Sequence, residues 1–242
     1  MKVIVINAAP RMEAGNTQMV LTPFLVGMRH GGAKVDVALL ARKKIELCQG
    51  CFTCYSVTPG ECVHNDDMPA LVDRIRSADM MLLATPIYLD GMTSLAKAFI
   101  DRLVVFLDPR FAADEEGLIH PLRMDFPGKL FLVSVCGYPG LQNFDPLIMH
   151  MKRIARNLHT EYCGAILRPA VYSLLLTKKY PDKTREVMEA IRWAGEELVR
   201  DGRVSSATFD RVSADICSRQ ELMATANSYW DRELEKSSDQ PA

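Results

Sequence analysis

Residues 80–88, Met-Met-Leu-Leu-Ala-Thr-Pro-Ile-Tyr, decide the fold of this chain. The run Met80–Ala84 is apolar without alternation, which predicts a strand that is buried on both faces. Thr85-Pro86 ends that strand, because proline has no N–H group to donate to a sheet. Two further runs, Val3–Ile6 and Leu130–Val133, have the same uninterrupted apolar character. These three runs predict the centre of a parallel sheet with helices on both sides.

Outward from this core, five strand-like runs alternate with longer amphipathic stretches. The predicted strands are Val3–Asn7, Lys34–Leu40, Met80–Ala84, Lys129–Val135 and Gly164–Val171. The first predicted helix has Asn16 or Thr17 as its cap and ends at Gly31-Gly32. Further helices are predicted over residues 66–77, 93–107, 146–158, 182–201 and 220–234. The alternation of strand and helix is typical of a doubly wound α/β domain.

The chain of 242 residues is expected to form one such domain over residues 1–202. Residues 203–242 are expected to add a helical extension whose last part, Glu235–Ala242, is a frayed tail. Within the domain, a cysteine-rich loop over residues 43–65 and an insertion over residues 108–128 exceed the usual loop length. For the insertion we expect a lid, a subunit contact or a solvated loop.

Charge and composition exclude several classes of partner. The 29 basic and 30 acidic residues leave a formal charge of −1, which gives no reason to expect nucleic acid or a membrane as partner. No apolar stretch reaches the roughly 20 residues that cross a bilayer. The strand-like N-terminal run has no features of a signal peptide, so a cytoplasmic location is expected. The seven cysteines are then expected to be thiols or metal ligands rather than disulfides.

The loop after the first strand leads into a helix N-terminus, where unpaired N–H groups and the helix dipole favour a phosphate. Arg11 adds a positive charge, and Asn16 and Thr17 add side-chain donors. The dinucleotide motif G-x-G-x-x-G is absent, so the loop suits a mononucleotide better. The alternative is that Asn16 and Thr17 only cap the helix and that Arg11 is a surface charge.

The loops after the third and fourth strands should lie at the same sheet edge, where parallel sheets bind ligands. Their aromatic rings and glycines suit a planar ring, with Tyr88 and Tyr138 packing beside it and the glycines leaving room for it. Plain turns and core tyrosines are the alternative. The candidate residues are Pro86, Ile87, Tyr88 and Gly91 in one loop and Cys136, Gly137 and Tyr138 in the other.

Over roughly residues 1–170 the sequence resembles the NADPH-dependent FMN reductases and iron–sulfur flavoproteins of the flavodoxin superfamily. Ala9-Pro10-Arg11 with Gly15-Asn16-Thr17 is similar to that family's G-S-P-R…G-N-T loop, and the segments 85–88 and 97–102 are similar to a second family segment. The resemblance implies a flavodoxin-like sheet of order 2-1-3-4-5, with the FMN phosphate on the first loop and the flavin ring and ribityl chain beside the other two. Ala8-Ala9 departs from the family's Gly-Ser and lacks its hydroxyl, and Glu13 adds a negative charge.

The spacing Cys48-x2-Cys51-x2-Cys54-x7-Cys62 is the most informative pattern in the sequence. Four thiolates within about fifteen residues can surround a [4Fe–4S] cluster if the loop folds back, and a turn at Pro59-Gly60 would allow this. The spacing also resembles the compact cysteine motif of iron–sulfur flavoproteins. Zinc bound by four thiolates and metal-free, redox-active thiols remain as alternatives.

These features lead to three hypotheses about function. The first is an FMN-dependent NAD(P)H oxidoreductase that passes electrons to a quinone, a flavin or another small acceptor, with no acid–base residue required of the protein. The second is an electron carrier that ferredoxin feeds through the cluster, without nicotinamide activity. The third is a redox- or metal-sensing binding module. Resemblance implies a homodimer or homotetramer.

Overall fold

The computed structural model describes residues 1–238 and contains seven strands and eight α-helices over that range. The strands are β1 (Lys2–Asn7), β2 (Lys34–Leu39), β3 (Met80–Pro86), β4 (Ala112–Asp114), β5 (Gly117–Ile119), β6 (Lys129–Val135) and β7 (Glu161–Arg168). The helices are α1 (Asn16–His30), α2 (Thr53–Ser56), α3 (Met68–Arg76), α4 (Ser94–Arg102), α5 (Asp145–Asn157), α6 (Pro181–Asp201), α7 (Ser206–Ser213) and α8 (Arg219–Ser238). None of these helices is long and apolar enough to span a membrane.

Five strands form one parallel sheet in the order β2-β1-β3-β6-β7, and β4 and β5 form a separate hairpin. Numbered among themselves, the five strands have the order 2-1-3-4-5, which confirms the flavodoxin-like arrangement expected from the sequence. In the register of the central strands, Val3 pairs with Met80 and Met80 with Lys129. The order reverses between β1 and β3, so the loops after these strands flank the crevice where doubly wound sheets bind ligands.

Two apolar cores cover the two faces of the sheet. On one face α1 and α6 pack through Phe24 and Ile191, both fully buried. On the other face α3, α4 and α5 pack through Leu71, Phe99 and Met151. Consecutive residues of β1 and β3 point alternately into these two cores, which explains why both strands are apolar without interruption.

Three element boundaries differ from the sequence prediction. The cap of α1 is Gly15 rather than Asn16 or Thr17, and no side chain caps the helix. The last strand runs from Glu161 to Arg168 instead of 164–171, because a register shift between Leu130 and Leu132 lets it pair from Glu161 onward. The helix predicted to reach residue 107 ends as an α-helix at Arg102 and tightens into a 3₁₀ turn over Leu103–Phe106.

The sequence analysis missed the β4–β5 hairpin, the short helix α2 and helix α7. Each is short, and the strands β4 and β5 are largely exposed and carry no apolar pattern. The predicted frayed tail is wrong for its first part, since α8 continues to Ser238. The rest of that tail lies outside the described residues.

Two buried charged residues fasten the start of the C-terminal extension to the sheet. Arg168, at the end of β7, donates to the carbonyl oxygens of Val212 and Ala214 and to Ser173 Oγ. Burial lowers the pKa of Arg168 to about 10. Glu197 of α6 accepts hydrogen bonds from Ser205, which caps α7. Helix α7 is therefore held from both ends.

Glu197 should make the stability of the protein pH-dependent. Burial opposes its charge, but hydrogen bonds from Ser205, Thr208 and Trp193 outweigh burial and hold the pKa of its carboxyl below the usual value. A lowered pKa in the folded state stabilises the protein above the unfolded-state pKa of about 4.3, and this contribution is lost as the pH falls through the folded-state pKa. In Glu197→Gln, the free energy of unfolding should fall less steeply between pH 6 and pH 3 than in the wild type.

Urea unfolding at a series of pH values measures that slope. Glu186→Gln is the matched control, since Glu186 lies exposed on the same helix. A slope in Glu197→Gln equal to that of the wild type would contradict the assignment.

Candidate functional site

One cavity lies where the loops after β1, β3 and β6 meet, at the carboxyl ends of the central strands. Eight residues predicted from the sequence line it together: Ala9, Arg11, Asn16, Thr17, Pro86, Ile87, Tyr88 and Gly137. Five others were not predicted: Pro10, Gly15, Val135, Val171 and Tyr172. The structure therefore brings the predicted phosphate loop and the predicted ring loops into one site.

The N-terminus of α1 forms the polar wall of this cavity. Gly15 occupies the cap position without a side-chain hydrogen bond, so the first N–H groups of the helix remain available to a ligand. Thr17 is 1% exposed and lines the cavity, as does Arg11. Glu13 pairs with Arg42 at 3.2 Å and is not part of the lining. Its negative charge is thus compensated outside the cavity.

Hydrogen bonds lock the first two loops to each other. Thr93 Oγ1 donates to the carbonyl oxygen of Ala8 at 2.8 Å and accepts from the N–H of Ala96, which caps α4. Asn7 Oδ1 accepts from the N–H of Ala9 at 3.0 Å. Thr93 is 1% exposed, so these bonds are shielded from water. A ligand that touches both loops meets a surface whose shape is already fixed.

A strained turn follows Pro86. Tyr88 and Gly91 exchange both backbone hydrogen bonds, at 3.0 and 3.1 Å, and enclose a two-residue turn. Its central residues, Leu89 and Asp90, have φ angles of +45° and +64°, which favour glycine or asparagine. Leu89 is fully exposed. Strain of this kind persists where surrounding contacts impose it and is concentrated at binding sites.

Three predicted residues lie outside the cavity lining. Cys136 is 4% exposed within the core, and burial raises the pKa of its thiol, as does the nearby charge of Asp90. Gly91 closes the turn after Tyr88, and Tyr138 projects into solvent at 74% exposure. All three residues lie in the loops predicted from the sequence. Which residues of a loop face the cavity depends on hydrogen bonds between distant loops.

Tyr172 takes the space that Gly137 was expected to leave for a planar ligand. A Cβ atom at Gly137 would lie 2.9 Å from Tyr172 Cε2, so any other residue here would displace the ring of Tyr172. Tyr172 belongs to the 3₁₀ turn Val171–Leu175 after β7 and is half exposed. No local signal marks it, because it reaches the cavity from the fifth strand. The cavity thus has tyrosines on two sides, Tyr88 and Tyr172.

The four cysteines of the 48–62 segment line a second cavity of about 290 Å³. Cys48 and Cys51 are exposed, Cys62 is partly buried and Cys54 is buried within α2. The predicted turn at Pro59-Gly60 is present. It brings the N–H of Gly60 within 2.9 Å of the Cys54 carbonyl oxygen, and Gly60 has a φ of +85°.

Electrostatics couple these thiols to one another. Burial raises the pKa of Cys54, and Cys62, Cys51 and Cys48 raise it further in that order. The pKa of Cys51 is lowered instead, first because Thr53 Oγ1 donates to its sulfur at 3.4 Å. All seven cysteines of the chain are free thiols.

The thiol donor set of the second cavity consists of the four cysteines. Among residues 1–238, no three His, Cys, Asp or Glu side chains converge closely enough to hold a single ion. A tetrahedral zinc site needs all four sulfurs about 2.3 Å from one centre, and that arrangement is not preformed. A [4Fe–4S] cluster also takes four thiolates, one on each iron, so the cysteines present fit either group by their chemistry.

The 108–128 insertion packs against the cysteine segment. The rings of Tyr55 and His120 lie 5.9 Å apart, and Arg123 donates to the Tyr55 carbonyl oxygen at 3.3 Å. At its other end the β4–β5 hairpin is held to α5, where Arg153 and Arg156 pair with Glu116 and Asp114. The insertion is therefore anchored at both ends, to the cysteine segment and to α5, while its residues 109–118 are exposed to solvent.

Comparison with known proteins agrees with this architecture. The sequence matches the family of NADPH-dependent FMN reductases over residues 1–129. It is 36% identical over 106 residues to an iron–sulfur flavoprotein of Archaeoglobus fulgidus, covering 44% of this chain and 47% of that protein. The chain spans about half the length of the curated relatives it matches.

Solved structures share the fold at low sequence identity. An NAD(P)H:quinone oxidoreductase from Methanothermobacter marburgensis is 18% identical, with a TM-score of 0.57 over 82% of this chain and 96% of that one. An FMN-dependent NADH-azoreductase from Bacillus anthracis, solved in complex with FMN, is 13% identical, with a TM-score of 0.55 over 88% of this chain and 99% of that one. The family match covers more than half of the chain, and with the sheet order it shows that this chain belongs to the NADPH-dependent FMN reductase family.

Proposed function

We propose that this chain is an FMN-dependent oxidoreductase that takes electrons from NADH or NADPH and passes them to a small acceptor such as a quinone or a second flavin. The observation that carries the proposal is the cavity in which an uncapped helix N-terminus faces two aromatic loops. Bound FMN supplies the hydride and electron chemistry. The protein binds it, orients it and controls access to it.

The phosphate would lie at the N-terminus of α1, where Asn16 and Thr17 offer donors and Arg11 offers charge. The hydroxyl that the family has before its Pro-Arg is replaced by Ala9, whose N–H is already bonded to Asn7 Oδ1. Binding therefore depends on the helix N–H groups and Arg11 more than in relatives that retain the hydroxyl.

The cavity has a volume of about 110 Å³. This is smaller than the roughly 300 to 1,000 Å³ of pockets that enclose a whole ligand. A flavin ring beside Tyr88 and Tyr172 would keep one side open. We therefore propose that a second copy of the chain completes the site in a homodimer or homotetramer. Leu89 follows Tyr88 in the chain, and Tyr138 follows Gly137. Both are exposed and supply apolar surface for such a contact.

Nicotinamide oxidation is tested with anaerobic protein that has been saturated with FMN. Addition of NADPH or NADH should bleach the absorbance of bound flavin within seconds to minutes, and a quinone should restore it. Protein that binds FMN but keeps its oxidised absorbance with both nucleotides would exclude the reductase function and favour the electron carrier. A preparation that cannot be loaded with FMN would exclude both.

Arg11→Ala should weaken FMN binding about tenfold, because a hydrogen bond to a charged group contributes roughly 1.5 to 3 kcal/mol and Arg11 is partly screened by water. The dissociation constant is measured by quenching of FMN fluorescence. Arg29→Ala, at the opposite end of α1, is the control and should bind FMN like the wild type. Equal affinity in Arg11→Ala and Arg29→Ala would remove Arg11 from the site.

The second cavity favours an iron–sulfur cluster as an additional redox centre. Four thiols that line one cavity are the ligand set of a [4Fe–4S] cluster. The name of the Archaeoglobus relative agrees with this proposal. With a cluster present, a ferredoxin is a candidate partner that exchanges electrons at the exposed Cys48 and Cys51 side. Iron and acid-labile sulfide, measured in anaerobically purified protein, test the cluster directly.

A further inference from the structure

A buried ion pair closes the base of the cysteine segment. Arg102 of α4 and Asp66 are 1% and 0% exposed, and Arg102 Nη1 donates to Asp66 Oδ2 at 2.6 Å. The same Nη1 also donates to the carbonyl oxygen of Glu46 at 2.8 Å. Asp66 in turn accepts from the N–H of Glu46 and from the N–H of Met68. Arg102 therefore fixes the chain just before Cys48 and just after Cys62.

This network leaves one nitrogen of Arg102, Nε, without a hydrogen-bond partner among the described residues. That nitrogen is fully buried, although Arg102 lines the cavity of the four cysteines. His64 lines the same cavity, and its Nε2 is likewise buried without a partner. A buried N–H group that has lost its water and gained no acceptor costs roughly 1 to 3 kcal/mol. With the His64 proton on Nε2, two unpartnered donors lie beside one cavity, and an acceptor bound there would satisfy both.

Sulfur is the most frequent side-chain acceptor in the lining of the cavity, which otherwise offers Gln49 and Asp101, the latter paired with Lys97. Four cysteine sulfurs line the cavity. Cys62 and Cys48 lie near enough to Arg102 to contribute to the raised pKa of its guanidinium. In iron–sulfur proteins, hydrogen bonds to the sulfurs and the burial of the cluster set the reduction potential. A donor stabilises the reduced cluster more than the oxidised one, because the reduced cluster carries one more negative charge.

We propose that Arg102 Nε and His64 Nε2 donate hydrogen bonds to sulfur atoms at the four-cysteine centre and thereby raise the reduction potential of the cluster bound there. This inference rests on the proposed iron–sulfur cluster. It goes further by assigning two residues outside the cysteine motif to the control of the potential. The pairing with Asp66 leaves Arg102 locally neutral, so the effect comes through the directed N–H group rather than through net charge.

The test compares reduction potentials in variants that still carry the cluster. Arg102→Lys keeps a cation for Asp66 but has no second donor at the position of Nε. His64→Leu removes the other donor at similar size. In each variant the one-electron reduction equilibrium should shift about tenfold toward the oxidised form, which lowers the potential by about 59 mV. Arg74→Lys is the matched control, because Arg74 forms a paired, bidentate contact with Asp36 away from the cysteines.

Iron and sulfide content is measured in every sample, and the potential follows from an anaerobic redox titration of the cluster signal. Wild-type potentials in both fully loaded variants would overturn the inference while leaving the cluster proposal intact. A shift in one variant alone would overturn the role of the other residue. If Arg102→Lys does not fold, His64→Leu decides the inference by itself. Wild-type protein without iron and sulfide would refute the cluster proposal, and this inference with it.

Discussion

Cys54→Ser is expected to reduce the iron and sulfide content of the purified protein to background. Cys54 is the most buried of the four cysteines, it sits in the helical turn α2, and its pKa responds to all three of the others. Serine keeps the size of the side chain but offers a hard oxygen that irons of a cluster bind weakly. FMN should still bind, because the flavin cavity shares no residue with the cysteine cavity.

Cys163→Ser provides the control. Cys163 lies on β7 and is absent from both cavities, so iron, sulfide and flavin contents should match the wild type. Full iron and sulfide content in Cys54→Ser would contradict the four-cysteine centre. Zinc in stoichiometric amount without sulfide in the wild type would instead favour the zinc alternative, and loss of that zinc in Cys54→Ser would locate it.

Gly195→Ala is expected to destabilise the whole fold. A Cβ atom at Gly195 would lie 2.1 Å from the Phe24 carbonyl oxygen, and one at Gly27 would lie 1.7 Å from the Arg192 carbonyl oxygen. Helices α1 and α6 therefore touch backbone to backbone. Overpacking costs about 1 to 3 kcal/mol or more, which exceeds the gain of about 1 kcal/mol that alanine brings to a helix. Because the clash is with backbone, we expect the upper end of this cost and a net loss of about 2 kcal/mol, so the midpoint of thermal unfolding should fall by roughly 4 to 8 °C.

Circular dichroism during heating measures this midpoint. Gly128→Ala is the control, since a Cβ atom at Gly128 would meet no other atom within 4 Å and the midpoint should stay near that of the wild type. The double variant Gly27→Ala with Gly195→Ala should cost less than the sum of the single variants, because the first substitution already separates the helices. A wild-type midpoint in Gly195→Ala would show that the two helices can move apart without loss.

The central sheet, and the meeting of the predicted loops at one of its edges, were predictable from local sequence. Uninterrupted apolar runs mark strands that are covered on both faces, and the parallel order brings the loops after β1 and β3 to one edge. The loop residues Arg11 and Tyr88 were therefore identified without knowledge of the structure. The strand-like runs that precede them in the sequence were enough to assign them to these loops.

The remaining features depend on contacts between distant segments. Tyr172 enters the cavity from the turn after the last strand, far along the chain from the other loops, and lies against Gly137. Arg102 was visible in the sequence as part of a family segment, but its role follows from Asp66 and Glu46, which lie 36 and 56 residues away along the chain. The hairpin β4–β5 is stabilised by ion pairs to α5 rather than by an apolar pattern of its own. Local periodicity carries no information about such pairings.

Helix α4 joins the two sites. Its cap, Thr93, donates a hydrogen bond to the Ala8 carbonyl oxygen in the loop after β1. Its last residue, Arg102, lines the cysteine cavity. Nine helical residues span roughly 13 Å, so one short helix connects the loop bonded by Thr93 with the cavity lined by Arg102. With FMN at one end and a cluster at the other, the chain would convert a two-electron donor into a one-electron source. The speed of that conversion would then depend on a fixed distance through protein and not on the diffusion of a partner.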